Sequence, residues 1–276
     1  MQISVLQGVA RAAKPTAVKA IAACTEPAGQ RLRRIVFGCL AGLLVCGGSA
    51  RAGNPPVSDF LSVNGVRVHF LVQGEGAPVV LIHGWYSSAA LNWVDPGIMA
   101  ALAGSHRVIA LDLPGYGRSD RPKASDAYGA HWIEDIDRLL DHLAVRKAHV
   151  IGYSMGGMVA LKFVVDHPER VKSVALGGMG YMKQGGALQK VWAAMKEPSS
   201  RGVSQLALTA DQVRTVGAPV EILIGSRDSM RKLYVDPLLA VRNDWPVVEI
   251  EGADHITCIL KSQFRDELAK WLDRNS

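Results

Sequence analysis

Apolar and polar residues alternate in blocks from residue 58 onward. Pro78–Ile82 and Val108–Leu113 are short, continuous apolar runs followed closely by Gly or Pro, which is typical of strands buried in a parallel sheet. Trp132–Leu143 instead places its apolar residues at the spacing of one helix face. Strand-like blocks that alternate with helix-like blocks predict an α/β fold, in which a mainly parallel sheet is flanked by helices.

The other predicted elements continue this order. Val66–Val72 alternates apolar and polar residues, which predicts a half-exposed early strand. Further strands are predicted at His149–Gly152, Val171–Leu176, Val220–Ile224 and Val247–Ile250, and further helices at Gly156–Asp166 and Phe264–Leu272.

The segment 177–216 interrupts the alternation. It has about 40 residues, whereas a connection in an α/β unit commonly has about two to six. At most two short helices are predicted within it, near Ala187–Lys196 and Val203–Val213. We interpret this insertion as a short, reduced lid over a site at the edge of the sheet.

Residues 1–52 have the pattern of a targeting segment. Basic Arg31–Arg34, the apolar run Ile35–Cys46 and the Ala-x-Ala ending of Gly47–Ala52 are the three regions of a signal peptide at about residues 31–52. Cleavage after Ala52 would leave residues 53–276 as the folded domain of an exported protein, periplasmic or secreted.

An uncleaved anchor is the alternative for this segment. The 30 residues before Arg31 are rich in Ala and Lys and are long for a signal peptide, which also leaves the true start site open. The apolar run is shorter than the roughly 20 residues of a membrane span. We therefore expect no stable membrane span in the mature chain.

The net charge of +6 belongs to the targeting segment, which holds seven basic residues and one acidic residue. Residues 53–276 carry 24 basic and 24 acidic residues, so no basic face for nucleic acid is predicted. Of the four cysteines only Cys258 lies in this part, so no disulfide within it is predicted.

Gly152-Tyr153-Ser154-Met155-Gly156 lies between a predicted buried strand and a predicted helix. This is the setting of a nucleophile elbow, in which the chain reverses so sharply that the serine is strained and glycine is needed two residues before and after it. The turn exposes the Ser154 hydroxyl, and the following helix N-terminus favours negative charge nearby. Ser154 is therefore the candidate nucleophile.

His255 is the candidate general base that a serine hydroxyl needs. It follows the last predicted strand, at the sheet edge where an α/β fold places its site. The chain order serine, acid, histidine also requires a C-terminal histidine. We expect the other histidines to be structural, with His83 orienting its loop.

Asp228 is the candidate acid, because it follows the strand Val220–Ile224 at the same sheet edge. There it would hold the tautomer of His255 and stabilise the imidazolium. Asp254 is the competing carboxylate, but as the immediate neighbour of His255 it is expected to point elsewhere along the backbone.

Two N–H donors are needed to stabilise an oxyanion. Met155, directly after the nucleophile, is expected to supply one from its backbone. The second is expected from Trp85, in the turn after Pro78–Ile82, where Gly84 lets the backbone approach closely.

Together these motifs resemble the α/β-hydrolase superfamily across about residues 58–276. The resemblance is carried by His83–Trp85, Asp112–Ser119, Gly152–Gly156, Gly225–Asp228 and Gly252–His255. It implies an eight-stranded, mainly parallel sheet. The Asp-x-Pro-Gly-x-Gly-x-Ser motif looks characteristic of the branch that holds esterases, perhydrolase-like enzymes, carbon–carbon hydrolases and proline iminopeptidases, in which it is structural.

Trp85 with Met155 is similar to the oxyanion pair of esterases that resemble cofactor-free haloperoxidases. Two features depart from the family pattern: Tyr86 stands where many members have Pro, and the lid is shorter than the usual four-helix cap. Ser154 also separates this chain from the dehalogenases and epoxide hydrolases of the fold, which use Asp as nucleophile.

These residues predict a serine hydrolase that cleaves carboxylic esters of small substrates through an acyl-enzyme intermediate. Ser154, Asp228 and His255 would be catalytic, and Trp85 and Met155 would form the oxyanion hole. No metal-ligand cluster, phosphate loop or dinucleotide fingerprint is found in the sequence, so no metal or cofactor is expected. The alternatives are a proline iminopeptidase-like enzyme, a carbon–carbon bond hydrolase and a non-catalytic module that binds a small ligand.

Overall fold

The computed structural model describes residues 54–124 and 127–276. The targeting segment predicted for residues 1–52 lies outside the described residues, so it stays a prediction. Within the described ranges, no helix is long and apolar enough to cross a membrane.

Eight strands of the described chain form one sheet. In chain order they are β1 (Val57–Val63), β2 (Val66–Gln73), β3 (Ala77–Ile82), β4 (His106–Leu111), β5 (Ala148–Tyr153), β6 (Val171–Gly177), β7 (Val220–Gly225) and β8 (Val247–Ile250). Their order across the sheet is β1-β2-β4-β3-β5-β6-β7-β8. β2 is antiparallel to both β1 and β4, and the other neighbouring pairs are parallel, which confirms the predicted mainly parallel sheet.

Helices cover both faces of this sheet. They are α1 (Ile98–Leu102), α2 (Ala130–His142), α3 (Met155–Asp166), α4 (Ala187–Ala193), α5 (Pro198–Gly202), α6 (Ala210–Arg214), α7 (Asp236–Leu239) and α8 (Ser262–Asn275). The apolar residues of α2 and α3 pack with Val80 and Val150 on one face. Those of α1 and α8 pack with Leu81 and Ile151 on the other.

The strand order changes direction at β3, which pairs with β4 on one side and with β5 on the other. An α/β sheet binds its ligands in the crevice beyond the carboxyl ends of the strands at such a point. The register aligns Ile82 with Gly152, and Tyr153 with Gly177. The loops that follow these strands therefore start from one edge of the sheet.

The two first strands differ from the sequence interpretation. β1 was not located by its apolar pattern; it is an edge strand joined to β2 by a turn in which Asn64 and Gly65 have φ of 51° and 82°. Val68–Leu71 of β2 is buried, so the prediction of a half-exposed strand is wrong there. The reason is that β2 lies between two strands and its polar His69 is hydrogen-bonded to the buried Asp112.

The insertion is divided into more and shorter helices than the two predicted. It holds α4, α5 and α6 together with a 3₁₀ turn at Val203–Leu206, and Lys183 pairs with Leu208 in an isolated parallel bridge. The sequence pattern did not predict α5, which begins at Pro198. Proline fits the first turn of a helix, where no N–H is required, and Glu197 caps this one.

Candidate active site

Ser154 stands at the sharp turn between β5 and α3. Its φ of 55° and ψ of −122° are strained for a residue with a side chain. A Cβ at position 152 would lie 2.0 Å from the carbonyl oxygen of Gly156, and a Cβ at position 156 would lie 2.2 Å from that of Ile82. Both positions therefore require glycine, and the backbone has the geometry of a nucleophile elbow.

Ser154, His255 and Asp228 are joined by a continuous chain of hydrogen bonds. Ser154 Oγ lies 2.8 Å from His255 Nε2, and His255 Nδ1 lies 2.8 Å from Asp228 Oδ2. A carboxylate can only accept hydrogen bonds, so Nδ1 carries the ring proton and Nε2 presents its lone pair to Ser154. This arrangement can remove a proton from the serine hydroxyl.

Both oxygens of Asp228 are engaged. Its side chain is fully buried, and its Oδ1 accepts the backbone N–H of Met230 at 2.8 Å. The carboxylate is therefore fixed in one orientation toward His255.

Asp254, the competing acid, shapes the histidine loop instead. Its Oδ1 accepts the backbone N–H groups of Ile256 and Thr257 at 3.0 and 2.8 Å, together with the Thr257 hydroxyl. These hydrogen bonds, those from Thr257 foremost, hold the pKa of Asp254 below its ordinary value. Asp254 thus stabilises the turn that carries His255, and Asp228 is the carboxylate in contact with the imidazole.

Sequence reasoning missed Tyr153 as part of the site. Its ring stacks beside the His255 imidazole, with centroids 5.8 Å apart and planes 28° apart. Its hydroxyl donates to the His255 carbonyl. The only sequence signal was its place inside the elbow motif, which does not reveal where the side chain points.

The loop after β3 is oriented by His83. In this buried ring, Nδ1–H donates to the Gly84 carbonyl at 2.7 Å, and Nε2 accepts the Leu113 N–H at 3.1 Å. Burial lowers the pKa of His83, so the imidazole stays neutral and can accept and donate at once. His83 thus joins the loops after β3 and β4, which agrees with the positioning role expected for it.

The same loop brings backbone donors beside the nucleophile. A Cβ at Gly84 would lie 3.2 Å from Ser154 Cβ, and the Gly84 N–H donates to Asn92 Oδ1 at 2.8 Å. Within the described residues, the backbone N–H groups of Trp85 and Met155 have no hydrogen-bond acceptor. Met155 begins α3, so its N–H has no partner in a preceding helical turn. One unpaired donor therefore directly follows Ser154, and the other directly follows Gly84, which lies beside Ser154.

Metal-ligating and thiol side chains are the other reactive groups to consider in residues 54–124 and 127–276. No three His, Cys, Asp or Glu side chains there are grouped in a way that could hold a metal ion. Cys258 is buried, and burial raises the pKa of its thiol to about 12. Since the thiolate is the reactive form, Cys258 is a packed residue, and Ser154 remains the candidate nucleophile.

Comparison with known proteins identifies the family. A family model described as alpha/beta hydrolase fold matches residues 77–246, more than half of the chain. This chain belongs to the α/β-hydrolase family. The matched residues include Trp85, Ser154 and Asp228, whereas His255 lies beyond them.

Curated relatives match parts of this α/β hydrolase. It is 42% identical over 122 residues to a dihydrolipoyllysine-residue acetyltransferase component of an acetoin cleaving system from Cupriavidus necator. This match covers 43% of this chain and 31% of that protein. It is 34% identical over 132 residues to 2-hydroxymuconate semialdehyde hydrolase from Pseudomonas sp. strain CF600. This match covers 47% of this chain and 46% of the relative. The chain thus spans less than half the length of these two relatives.

Solved structures share the fold. A carboxylesterase structure from the thaumarchaeon Nitrososphaera gargenis superposes with a TM-score of 0.65 and 22% identity, over 78% of this chain and 98% of that one. At this identity the likeness shows the fold of the α/β hydrolase and leaves its substrate open.

Asp112 holds together the loops behind the site of this α/β hydrolase. Its Oδ1 accepts the Ala89 N–H at 2.7 Å, and its Oδ2 accepts from His69 Nδ1 and the Arg118 N–H at 2.8 Å each. Burial raises the pKa of Asp112, but hydrogen bonds from these three residues outweigh it and bring the pKa below its ordinary value. A Cβ at Gly117 would lie 2.1 Å from Asp112 Cγ, so the motif also needs that glycine.

Tyr86 gives the loop after β3 a backbone conformation that proline could not adopt. Its φ is 52°, whereas a proline ring holds φ near about −65°. The Tyr86 ring is 56% exposed and lies 4.4 Å from the Trp85 ring, centroid to centroid. The proline that the family resemblance implies at this position would therefore require a different backbone conformation.

The insertion contacts Trp85, in the loop after β3, through α4 and α5. The Trp192 ring meets the Trp85 ring edge to face at 5.1 Å, and the Trp85 indole N–H donates to Ser200 Oγ at 3.2 Å. A cavity of about 240 Å³ lies alongside, with Tyr86, Tyr116 and Glu197 among its lining residues. The sequence interpretation proposed a lid here but identified none of its residues as contacts of the site.

Proposed function

We propose that this α/β hydrolase cleaves carboxylic esters of small substrates through an acyl-enzyme intermediate. The observation that carries the proposal is the hydrogen-bonded chain Ser154–His255–Asp228, set beside the unpaired backbone N–H groups of Trp85 and Met155. Nucleophile, base, orienting acid and oxyanion donors are the parts that acyl transfer needs.

In the proposed reaction, Ser154 Oγ attacks the ester carbonyl carbon while His255 Nε2 takes the hydroxyl proton. The N–H groups of Trp85 and Met155 donate to the oxyanion that forms. His255 then gives its proton to the leaving alcohol as the carbon–oxygen bond breaks. A water molecule, deprotonated by His255, cleaves the acyl-enzyme and restores the Ser154 hydroxyl.

Short-chain p-nitrophenyl esters test this proposal. The purified protein is expected to hydrolyse them, and Ser154→Ala is expected to remove nearly all turnover. Equal turnover by the Ser154→Ala variant would contradict the proposal. A fluorophosphonate probe that labels the wild type at Ser154 supports a nucleophilic serine, whereas an unlabelled Ser154 favours a module that only binds a small ligand.

Carbon–carbon bond hydrolysis is the second candidate. It is favoured by the 34% identity to 2-hydroxymuconate semialdehyde hydrolase over 132 residues. The same three residues could serve such a reaction, because attack on a ketone carbonyl also produces an oxyanion. Turnover of a vinylogous diketone with little ester hydrolysis would favour this reading, and turnover of proline naphthylamide would favour an iminopeptidase.

We propose the insertion 177–216 as a short lid, supported by its contacts with Trp85.

We also propose that residues 31–52 direct export and are removed after Ala52. N-terminal sequencing of protein from the exported fraction should begin at Gly53. Retention of the whole segment in a membrane fraction would favour an uncleaved anchor.

A further inference from the structure

Glu197 lies in the insertion and concentrates hydrogen bonds from the first turn of α5. Its carboxylate accepts the backbone N–H groups of Ser199 and Ser200 at 3.2 and 2.7 Å. It also accepts both serine hydroxyls at 2.6 Å each. A helix cap alone needs only the backbone contacts, so the two hydroxyl contacts call for a separate explanation.

One of these hydroxyls, that of Ser200, also contacts Trp85 in the loop after β3, which we call the oxyanion loop. Ser199 and Ser200 are 98% buried, so solvent does not compete for their hydrogen bonds. Ser200 Oγ lies 3.2 Å from the Trp85 indole nitrogen, which can only donate. The single hydroxyl hydrogen of Ser200 points to Glu197, and its lone pair therefore receives the indole N–H.

A second set of contacts links the Glu197 carboxylate to the oxyanion loop, through Ser199. Ser199 Oγ lies 3.1 Å from the Tyr116 hydroxyl, and the Tyr116 ring packs edge to face against His83 at 5.4 Å. His83 in turn holds the Gly84 carbonyl. His83, Gly84 and Trp85 are consecutive residues, so both sets of contacts lead from Glu197 to the start of the loop after β3.

The ionised state of Glu197 sets the direction of these bonds. Burial raises the pKa of its carboxyl, but the hydrogen bonds from Ser199 and Ser200 outweigh this and bring the pKa below its ordinary value. A carboxylate accepts only, so both serine hydroxyls must donate to it. Each hydroxyl then presents a lone pair to another side chain: that of Ser200 to the Trp85 indole, and that of Ser199 to the Tyr116 hydroxyl in the loop after β4.

We propose that Glu197 is a positioning residue for the oxyanion hole, acting through the Ser200 hydroxyl on the indole of Trp85. This inference rests on the proposed function, in which the Trp85 backbone N–H binds the oxyanion. Such donors work only when they are held within about 0.5 Å of the productive geometry. The insertion would then contribute to catalysis as well as cover the site.

Ser200→Ala isolates the relay. It removes the hydroxyl but keeps the Ser200 backbone N–H that caps α5 with Glu197. We expect kcat to fall about tenfold and KM to stay within about twofold, since loss of a whole oxyanion donor costs about 10²- to 10³-fold and here the donor is only displaced. Glu197→Ala should lower kcat at least as much.

Thr209→Ala is the matched control in the same insertion. Thr209 caps α6 with its side chain, in a reciprocal capping box with Gln212. The variant removes a helix cap without touching Trp85, so kcat should remain at the wild-type value. If Thr209→Ala and Ser200→Ala lower kcat equally, the effect belongs to the stability of the insertion and the relay is overturned.

A double-mutant cycle tests the link itself. Trp85→Phe keeps an aromatic ring and removes the indole N–H. If the relay exists, Trp85→Phe and Ser200→Ala combined should lower kcat no more than the stronger single variant does. Additive losses would mean that Ser200 and Trp85 act separately, which contradicts the proposal.

A measurement that needs no turnover separates this inference from the proposed function. The Trp85 indole ¹H–¹⁵N resonance, assigned by its disappearance in Trp85→Phe, should shift in Ser200→Ala and in Glu197→Ala and stay in place in Thr209→Ala. An unmoved resonance overturns the relay whatever the activity. A wild type that is inactive on all esters overturns the proposed function. In that case the rate at which a fluorophosphonate labels Ser154 replaces kcat as the measure of the oxyanion hole. An equal labelling rate in wild type and Ser200→Ala, or no labelling at all, overturns the positioning role of Glu197.

Discussion

The Tyr153 hydroxyl donates a 2.7 Å hydrogen bond to the backbone carbonyl of His255, across 102 positions of sequence. Tyr153 directly precedes the nucleophile, so this bond ties the elbow to the loop that carries the base. The phenol is buried, and burial raises its pKa well above the ordinary value, so it remains a donor at any working pH.

Tyr153→Phe should weaken this connection while keeping the ring stacked on His255. We expect the free energy of unfolding to fall by about 1 kcal/mol, the usual net contribution of one hydrogen bond. We also expect kcat for ester hydrolysis to fall several-fold, because the imidazole loses a constraint. Urea unfolding and initial rates, normalised to the fraction of Ser154 that a fluorophosphonate labels, measure the two effects. Unchanged kcat would mean that stacking alone orients His255.

Asp228→Asn should lower kcat by about 10³- to 10⁴-fold, because the amide no longer favours the His255 tautomer with its proton on Nδ1. The matched control is Asp254→Asn, which changes the neighbouring carboxylate that only shapes the loop. Asp254→Asn should retain most of the activity. Steady-state ester kinetics compare the two, and a larger loss in Asp254→Asn than in Asp228→Asn would reverse the assignment of the acid.

Gly152→Ala should destabilise the protein and abolish ester turnover. Its Cβ would meet the carbonyl oxygen of Gly156 at 2.0 Å, and the surrounding strand and helix are buried. We expect a loss of about 3 kcal/mol or more in the free energy of unfolding. Gly217→Ala is the control, because a Cβ there meets nothing within 4 Å; it should change stability by less than about 1 kcal/mol. Equal denaturation midpoints for the two variants would contradict the steric account of the elbow.

His149 should make stability depend on pH. Burial, with contributions from Lys172 and His106, lowers its pKa from 6.5 to about 4, and its Nε2 has no partner in the described residues. Between these two values the unfolded chain binds more protons than the folded one. The contribution of His149 to stability is therefore fully present above pH 6.5 and is lost as the pH falls toward 4.

Urea midpoints at pH 5 and pH 7 test this dependence. His149→Gln should reduce the difference between the two midpoints, whereas His131→Gln, at an exposed position of α2, should leave it unchanged. An unaltered difference in His149→Gln would assign the pH dependence to other groups.

The local parts of the fold followed from the sequence. Apolar runs and helical spacing located seven of the eight strands and the long helices, because burial imposes periods of two or 3.6 residues within each element. The glycines around Ser154 followed from steric limits on the backbone, which act over a few residues. Chain order and strand ends also indicated Asp228 and His255, since parallel strands deliver their loops to one edge.

The connections between distant segments were decided only by the tertiary structure. Trp85 and Ser200 are 115 positions apart, and neither leaves a periodic or steric signal that names the other. The insertion has no fixed register with the sheet, so only its packing determines that Glu197 is linked to Trp85 through the Ser200 hydroxyl. Sequence by itself therefore determined which residues could carry the chemistry, whereas long-range packing decided which side chains hold them in place.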